Sequence, residues 1–404
     1  YTGEDTLSLH DALPISMAIF LDHAATTDVR QCAKDALVSA LSQLGNPSSV
    51  HTHGQAAREL LEQARDKVAL AVEADRSEVI FLSGGTEANN QAIKGLWWSR
   101  KSETRKVIVS AATEHKALID PIQWLVETEG AELVEVPVSR IGELDLAFLE
   151  TLISERSEEI ALISLMWVNN ETGVITDIEK VTALANRHQI PIHSDAVAAV
   201  GRIPVSFAKS GLTAMTISGH KFGSPIGVGA LVVKRSAKPV SLLHGGGQER
   251  GLRSGTMNYP LALSMAEAIT ESVNQMEATQ TRLLAIRNWL ETEVRTEFPE
   301  TVVTAAGADR VSHNAHFVFP GVNNDSLLFL LDQQGVSVSA GSACQAGVLG
   351  PSHVLLAMGY SERDAASCLR VTFGHSSTME DAQGFLDALK LAYPKAKQAS
   401  RLSR

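Results

Sequence analysis

Cysteine is scarce in this chain: three in 404 residues, at positions 32, 344 and 368. So few, so widely spaced, build neither a disulfide framework nor a zinc pattern, and they point to a reducing, intracellular setting. Long apolar runs are missing as well; none approaches the roughly 18 residues that suggest a membrane span. No basic block offsets a formal net charge of -11, which argues against direct nucleic-acid binding. Neither GxxxxGK[ST] nor GxGxxG occurs, so a nucleotide is not the obvious ligand. The opening stretch YTGEDTLSLHDALPIS, residues 1–16, lacks the basic start and apolar centre of a signal peptide. It is expected to be an assembly artefact, with the native start at Met17, and it plays no part in the fold argument. The chain as a whole is 44% hydrophobic and 20% charged, which suits two globular domains or one large one.

What is present begins with alternation. EVIFL (78–82), KVIVSA (106–111), EIALISLMWV (159–168), IPIHSDA (190–196), AMTISG (214–219) and GVGALVV (227–233) read as strands. Helical patterns such as IEKVTALANRHQ (178–189) lie between several of them. That succession predicts βαβ units and a mostly parallel sheet covered on both faces. Near residue 262 the pattern gives way to long helical segments, and HFVFPG, SLLFLLDQQGV and CLRVTFG then suggest a smaller α+β unit. The expected organisation is an N-terminal segment (17–30) joining the small domain, a large α/β domain (31–275) and a small C-terminal domain (276–404) that carries Cys344.

Several segments carry chemistry. IFLSGGTEANN is a strand, a glycine turn at Gly84 and Gly85, and a helix start with Thr86 in its first turn. Free N–H groups and the helix dipole at such a junction attract an anion, typically phosphate, although glycines after a strand more often simply turn the chain. TISGHKFGSPIG sets Lys221 directly after a strand, beside Ser218 and His220. A lysine at a strand's C-terminal end in an open sheet sits where ligands bind, and partial dehydration there suits a Schiff-base nucleophile. IPIHSDAVAAVG ends a strand with Asp195, which either caps the following turn or faces a ring nitrogen. Lys221, Asp195 and the anion site around Thr86 together are the three attachments that pyridoxal phosphate requires, the aspartate keeping the ring nitrogen protonated so that the ring acts as an electron sink. His115 in ATEHKALIDP offers an aromatic face over a planar cofactor, and Asn170 in NNETGVI a hydrogen-bond donor near the same edge. Arg370 in CLRVTFGH is a buried-strand arginine whose fork matches a carboxylate, such as that of an amino acid.

Cys344 stands in SVSAGSACQAGVLGPSHV, among glycine, serine and alanine, with Pro351 seven positions later. The composition predicts a loop with no core to fill, which implies a thiol kept for its reactivity. Cys32 and Cys368, in helix-like and strand-like surroundings, read as core residues. His51 and His53 have no second ligand cluster, so no metal is expected.

These motifs taken in order, from about Phe20 to about Ala392, resemble the cysteine desulfurases of the class V aminotransferase group. FLDHAATT, GNPSSVHTHG, SGGTEANN, ATEHKALIDP, NNETGVITDI, HSDAVAAVG, SGHKFGSPIGVGAL, GGGQERGLRSGTMN, SAGSACQAG and LRVTFG carry the likeness. The resemblance implies the fold type I of pyridoxal-phosphate enzymes, with a large mostly parallel mixed sheet and a smaller α+β domain. It implies that Lys221 carries the cofactor as a Schiff base, that Asp195 pairs with the ring nitrogen, and that His115 stacks on the ring. Gly85, Thr86, Ser218 and His220 would hold the phosphate, with Asn170 near the ring and Arg370 on the substrate carboxylate. Thr256 would reach the cofactor of a second subunit, so a homodimer is implied. The spacing from Cys344 to Pro351 resembles the long-loop desulfurases that serve iron–sulfur assembly. L-Cysteine would become L-alanine while Cys344 takes the sulfur as a persulfide. Acceptors would be an iron–sulfur scaffold protein or a tRNA-thiolating enzyme, in the cytoplasm and away from membranes. Where the family usually has glutamine, donating to the cofactor's phenolic oxygen, this chain has Ala198, and an altered cofactor spectrum is expected. The alternatives are an aminotransferase or selenocysteine lyase using the same site without Cys344, and a non-catalytic scaffold that lacks the cofactor's colour.

Overall fold

The computed structural model describes residues 18–341 and 350–402, so Cys344 lies outside the described residues. In chain order the strands are β1 (Ile19–Phe20), β2 (Val79–Leu82), β3 (Val107–Ser110), β4 (Glu132–Glu135), β5 (Ile160–Ser164) and β6 (Ile192–Asp195). They continue with β7 (Ala214–Ser218), β8 (Gly229–Val233), β9 (Val302–Val303), β10 (Asn314–Val318), β11 (Val336–Ser337) and β12 (Cys368–Thr372).

Seven strands form one sheet in the order β2-β8-β7-β6-β5-β3-β4. The pairs from β4 to β7 are parallel, while β8 runs antiparallel to both β7 and β2. Two reversals restore the direction, so β2 points the same way as β7. The C-terminal ends of β2, β3, β5, β6 and β7 therefore share one edge, where open α/β sheets bind ligands. This is the mostly parallel mixed sheet that the alternating runs predict.

Both faces are covered, and period-two alternation sorts the side chains between them. Val79, Phe81, Val107 and Val109 pack with Ala33, Leu61, Val68 and Met265, from the helices Gln31–Leu41, Thr52–Ala71 and Tyr259–Asn274. Ile80, Leu82 and Ile108 pack the other way, against Ile93, Trp97, Leu118 and Leu125 from the helices Gly85–Arg100 and Lys116–Glu129. Strand β4, with the sequence ELVE, went unread. It is the sheet edge, and its terminal glutamates are exposed, which edge strands commonly arrange. The run 159–168 stops as a strand at Ser164, because the chain then folds back: Val168 bridges Ile175, and Thr176 N donates to Trp167 O at 2.8 Å.

A second body is built on the antiparallel sheet β12-β10-β9. Phe317, Val371 and Phe373 pack there with Leu283, Leu290, Phe385 and Leu389, from the helices Met276–Glu297 and Met379–Leu402. Residues at the start of the described chain join it: β1 pairs in parallel with β11, Leu21 enters the same core, and Asp22 bridges Thr372. The long helical stretch breaks at Gln275, between Asn274 and Met276.

Candidate active site

Each parallel strand hands a different group to the shared edge. After β2 the turn Ser83–Gly84 leads into the helix Gly85–Arg100, whose N-terminus has no side-chain cap. Its first-turn N–H groups are thus left for an anion. Gly85 is needed for closeness: a Cβ there would sit 3.0 Å from Val197 Cγ2 and 3.4 Å from Ser218 Cβ. After β3 comes His115, after β5 Asn170, at the end of β6 Asp195, and at the end of β7 Ser218, followed by a single turn with His220 and Lys221. All of these, with Gly85, Thr86 and Ala198, line one cavity of about 250 Å³.

The groups are oriented by their neighbours. Asp195, 5% exposed, accepts from Asn89 Nδ2 at 2.7 Å on one oxygen and from Val197 N at 2.9 Å on the other. It thus both braces the next turn and presents a fixed carboxylate. His115 caps the helix Lys116–Glu129: its Nδ1 accepts from Ala117 N at 3.0 Å, which leaves the proton on Nε2. Burial holds its pKa below the usual histidine range, so the ring is neutral near pH 7. His220 is pushed down to about 4 by burial and then by Lys221. Lys221 Nζ donates to Ala25 O at 2.8 Å and to Ala24 O, which ties the segment after β1 across the cavity. Asn170 Oδ1 is buried without a partner in the wall.

Two of the expected site residues lie elsewhere. Thr256 is exposed on the loop before the helix Tyr259–Asn274 and does not line this cavity. Arg370 lies on β12 beside the cavity, and its anionic partner here is Asp22, with Nη2 to Oδ1 at 2.8 Å. Its Nη1 donates to Asn170 O at 2.9 Å, and its Nε has no partner. Of the cysteines read as core, Cys368 is buried but Cys32 is half-buried, because it lies in the first turn of its helix beside the Glu271 carboxylate. His51 serves as a helix cap, accepting from Gly54 N.

The sequence reading missed Asn89, Arg202, His313 and Asn314. Asn89 was within reach, since it follows Gly85 by one helical turn and so shares its face. Arg202 and His313 sit in turns that show no periodic signal, and Asn314 opens β10. Glu114 was also passed over. It is fully buried, accepts from Met166 N at 2.8 Å, and burial raises its pKa well above the usual carboxylate range.

The cavity fits pyridoxal phosphate. The uncapped helix start answers the phosphate, Asp195 a ring nitrogen and Lys221 Nζ an aldehyde, and the orphaned Asn170 Oδ1 is left to accept from an N–H or O–H of the ligand.

The family model described as Aminotransferase class-V matches residues 19–385. The chain is 42% identical over 386 residues to the IscS-like cysteine desulfurase of Mycobacterium tuberculosis, with 94% of this chain and 98% of that protein covered. Among solved structures, the NifS-like protein of Rickettsia africae superposes with a TM-score of 0.84 at 28% identity, covering 93% of this chain and 99% of that one. The structure described as SspA in complex with cysteine gives a TM-score of 0.76 at 29% identity, covering 88% and 98%.

Proposed function

The chain belongs to the class V aminotransferase family as a cysteine desulfurase, and from that premise we propose that it serves iron–sulfur assembly and that its residues divide the work as follows. Pyridoxal phosphate, when bound, supplies an electron sink. Gly85, Thr86, Ser218 and His220 hold its phosphate, Asp195 its ring nitrogen, and His115 covers the ring. Lys221 Nζ is the covalent anchor and the group that takes the substrate's Cα proton. Asn170 and Arg370 orient L-cysteine, the ligand that the SspA structure holds. Cys344 attacks the substrate sulfur as a thiolate: an S–S bond forms, the C–S bond breaks, and L-alanine leaves while Cys344 keeps a persulfide. Neutral His115 is placed to carry protons at its Nε2.

The observation that carries this reading is the convergence of Lys221, Asp195 and the uncapped start of the helix Gly85–Arg100 on one cavity. The same reading treats 17–30 and 276–404 as one small domain and 31–275 as the cofactor domain. It makes exposed Thr256 a contact to a second subunit's cofactor in a homodimer, and it places the enzyme in the cytoplasm. No helix among the described residues is long and apolar enough to cross a membrane. The persulfide is passed to an iron–sulfur scaffold or to a tRNA-thiolating enzyme.

Borohydride reduction followed by peptide mapping tests the anchor: label on Lys221 supports the reading, and an unlabelled Lys221 refutes it. Cys344→Ser tests the chemistry. A desulfurase stops releasing sulfide from cysteine, whereas an aminotransferase or a lyase independent of that thiol keeps its activity.

A further inference from the structure

Among the described residues, buried arginines come with an acid. Arg30 pairs with Glu271, Arg65 with Glu249, Arg310 with Glu291 and Arg370 with Asp22. Arg202 does not. It lines the cavity beside Ala198 and Lys221, and its one side-chain hydrogen bond runs from Nη2 to Lys221 O at 3.3 Å. The charged neighbour that acts on it is another cation, Arg30, and loss of water brings its pKa down to about 10. Its backbone is fixed by the turn that follows Asp195: Arg202 N donates to Ala199 O at 2.9 Å, and Gln280 Nε2 donates to Arg202 O.

Among the described residues the one carboxylate lining this cavity is Asp195, whose oxygens are already taken by Asn89 Nδ2 and Val197 N. His313, 5% exposed, lines the same cavity with Nδ1 unpartnered. His23 bonds Thr27 Oγ1 and is held neutral, at about 4, by burial and by Arg202. His375 is likewise pushed to about 4, by burial and by Arg30, against the opposing pull of Asp28 and Glu271. Asp22, the acid next in sequence to His23, is occupied by Arg370. Ala198, four residues before Arg202, presents only a methyl group and no competing donor. A desolvated guanidinium left without an anion is costly, and a cavity that ends in one is complementary to a negatively charged oxygen.

We propose that Arg202, with His313 beside it, forms a second anion-recognising subsite that takes a negatively charged oxygen of the bound reactants, either the phenolic oxygen of pyridoxal phosphate or the α-carboxylate of the amino acid. The subsite is separate from the Arg370 position, and it rests on the cofactor reading above. Either oxygen would give Arg202 the anion that it lacks among the described residues.

The test uses full-length holoenzyme and the variants Arg202→Gln and Arg202→Lys. Two measurements are made on each: the pH midpoint of the cofactor's visible band without substrate, and the dissociation constant for L-alanine, a carboxylate ligand with no sulfur to lose. If the ring oxygen is the ligand, Arg202→Gln raises the pH midpoint by about one unit, because the cation that favoured the more negative form is gone. If the carboxylate is the ligand, the midpoint stays and L-alanine binds roughly ten-fold more weakly or worse. Arg202→Lys keeps the charge but loses the fork, so it shifts the same readout by less. Both readouts unchanged in Arg202→Gln, with Lys221 still labelled by borohydride, overturns this proposal alone. An unlabelled Lys221 in the wild-type protein overturns the cofactor reading and this subsite with it.

Discussion

Removing the Glu249 carboxylate is predicted to be among the most destabilising single changes available outside the cavity. Arg65 on the helix Thr52–Ala71 meets Glu249 through two parallel bonds, Nη1 to Oε2 and Nη2 to Oε1, both 2.8 Å. Their side chains are 8% and 1% exposed. The same carboxylate accepts from Phe81 N at 2.9 Å, and Arg65 Nη1 also donates to Val79 O at 2.7 Å. One pair thus fastens a helix, strand β2 and the turn at Glu249, where both Glu249 and Arg250 have positive φ, 47° and 58°. Non-glycine residues hold such angles only when their surroundings impose them. Glu249→Ala strips the bidentate acid from a desolvated guanidinium, leaving it only half-exposed Glu62 on Nε at 3.3 Å, and removes the acceptor of a buried N–H, a loss of about 3 kcal/mol. The double variant Arg65→Met with Glu249→Leu removes both charges and is expected to recover most of it. Urea unfolding of the holoenzyme followed by circular dichroism measures the cycle. A Glu249→Ala cost under about 1 kcal/mol, or a double variant as weak as the sum of the singles, refutes the argument.

Acid sensitivity should begin high on the pH scale. His193 and His316 are fully buried and neutral, each pushed to about 3 by burial, against 6.5 in the unfolded chain. Below pH 6.5 the unfolded state binds the extra protons, so stability is whole above 6.5 and falls as pH drops toward 3. Each such histidine costs about 1.4 kcal/mol per pH unit, and His316→Gln should flatten the loss between pH 6.5 and 4.5; an unchanged slope counts against it. Thiol reactivity should be confined to Cys344. Burial pushes Cys32 up to about 12 and Cys368 higher still, so iodoacetamide near neutral pH followed by mass spectrometry should mark Cys344 and spare the others, and a labelled Cys32 would contradict this. Ala198→Gln adds a donor to the cavity wall and should lower the pH midpoint of the cofactor's visible band; identical titrations would dismiss it.

How much of this was legible in advance depended on which force fixes each residue. Strands β2, β3, β5, β7 and β8 are buried on both faces, so burial alone writes their apolar runs. Strand β4 is set by backbone pairing to β3 at an edge, a force that leaves no mark on side-chain composition. Lys221 and Asp195 were readable because a reactive side chain directly after an apolar run must fall at a sheet edge. Arg370 was legible as an arginine within a strand-like apolar run, whereas Arg202 lies in a turn with no such signal, and only the fold shows that Asp22, far away in sequence, is bonded to Arg370 and not to Arg202.

That same long-range logic explains why the second body completes the site. Arg370 holds Asn170 by its carbonyl, and Asn314 Nδ2 donates to Glu171 O one residue further on. His353 Nε2 shares a hydrogen bond with Glu114 O, immediately before His115. Glu171, buried and with its carboxyl raised by burial, accepts from Ser352 Oγ, and Gly341 lies so close that a Cβ there would come within 3.0 Å of Glu171 Oε2. Gly341, at φ +77°, adopts a backbone that other residues rarely tolerate. On the two sides of the segment containing Cys344, Ser352 is thus bonded to that carboxyl and Gly341 lies against it, next to the asparagine that faces the cavity. Large-sheet residues supply the chemistry, but Asn170 and His115 take their positions from contacts that the C-terminal body makes, so a fragment ending before Met276 would keep Lys221 and Asp195 and lose the alignment of the rest.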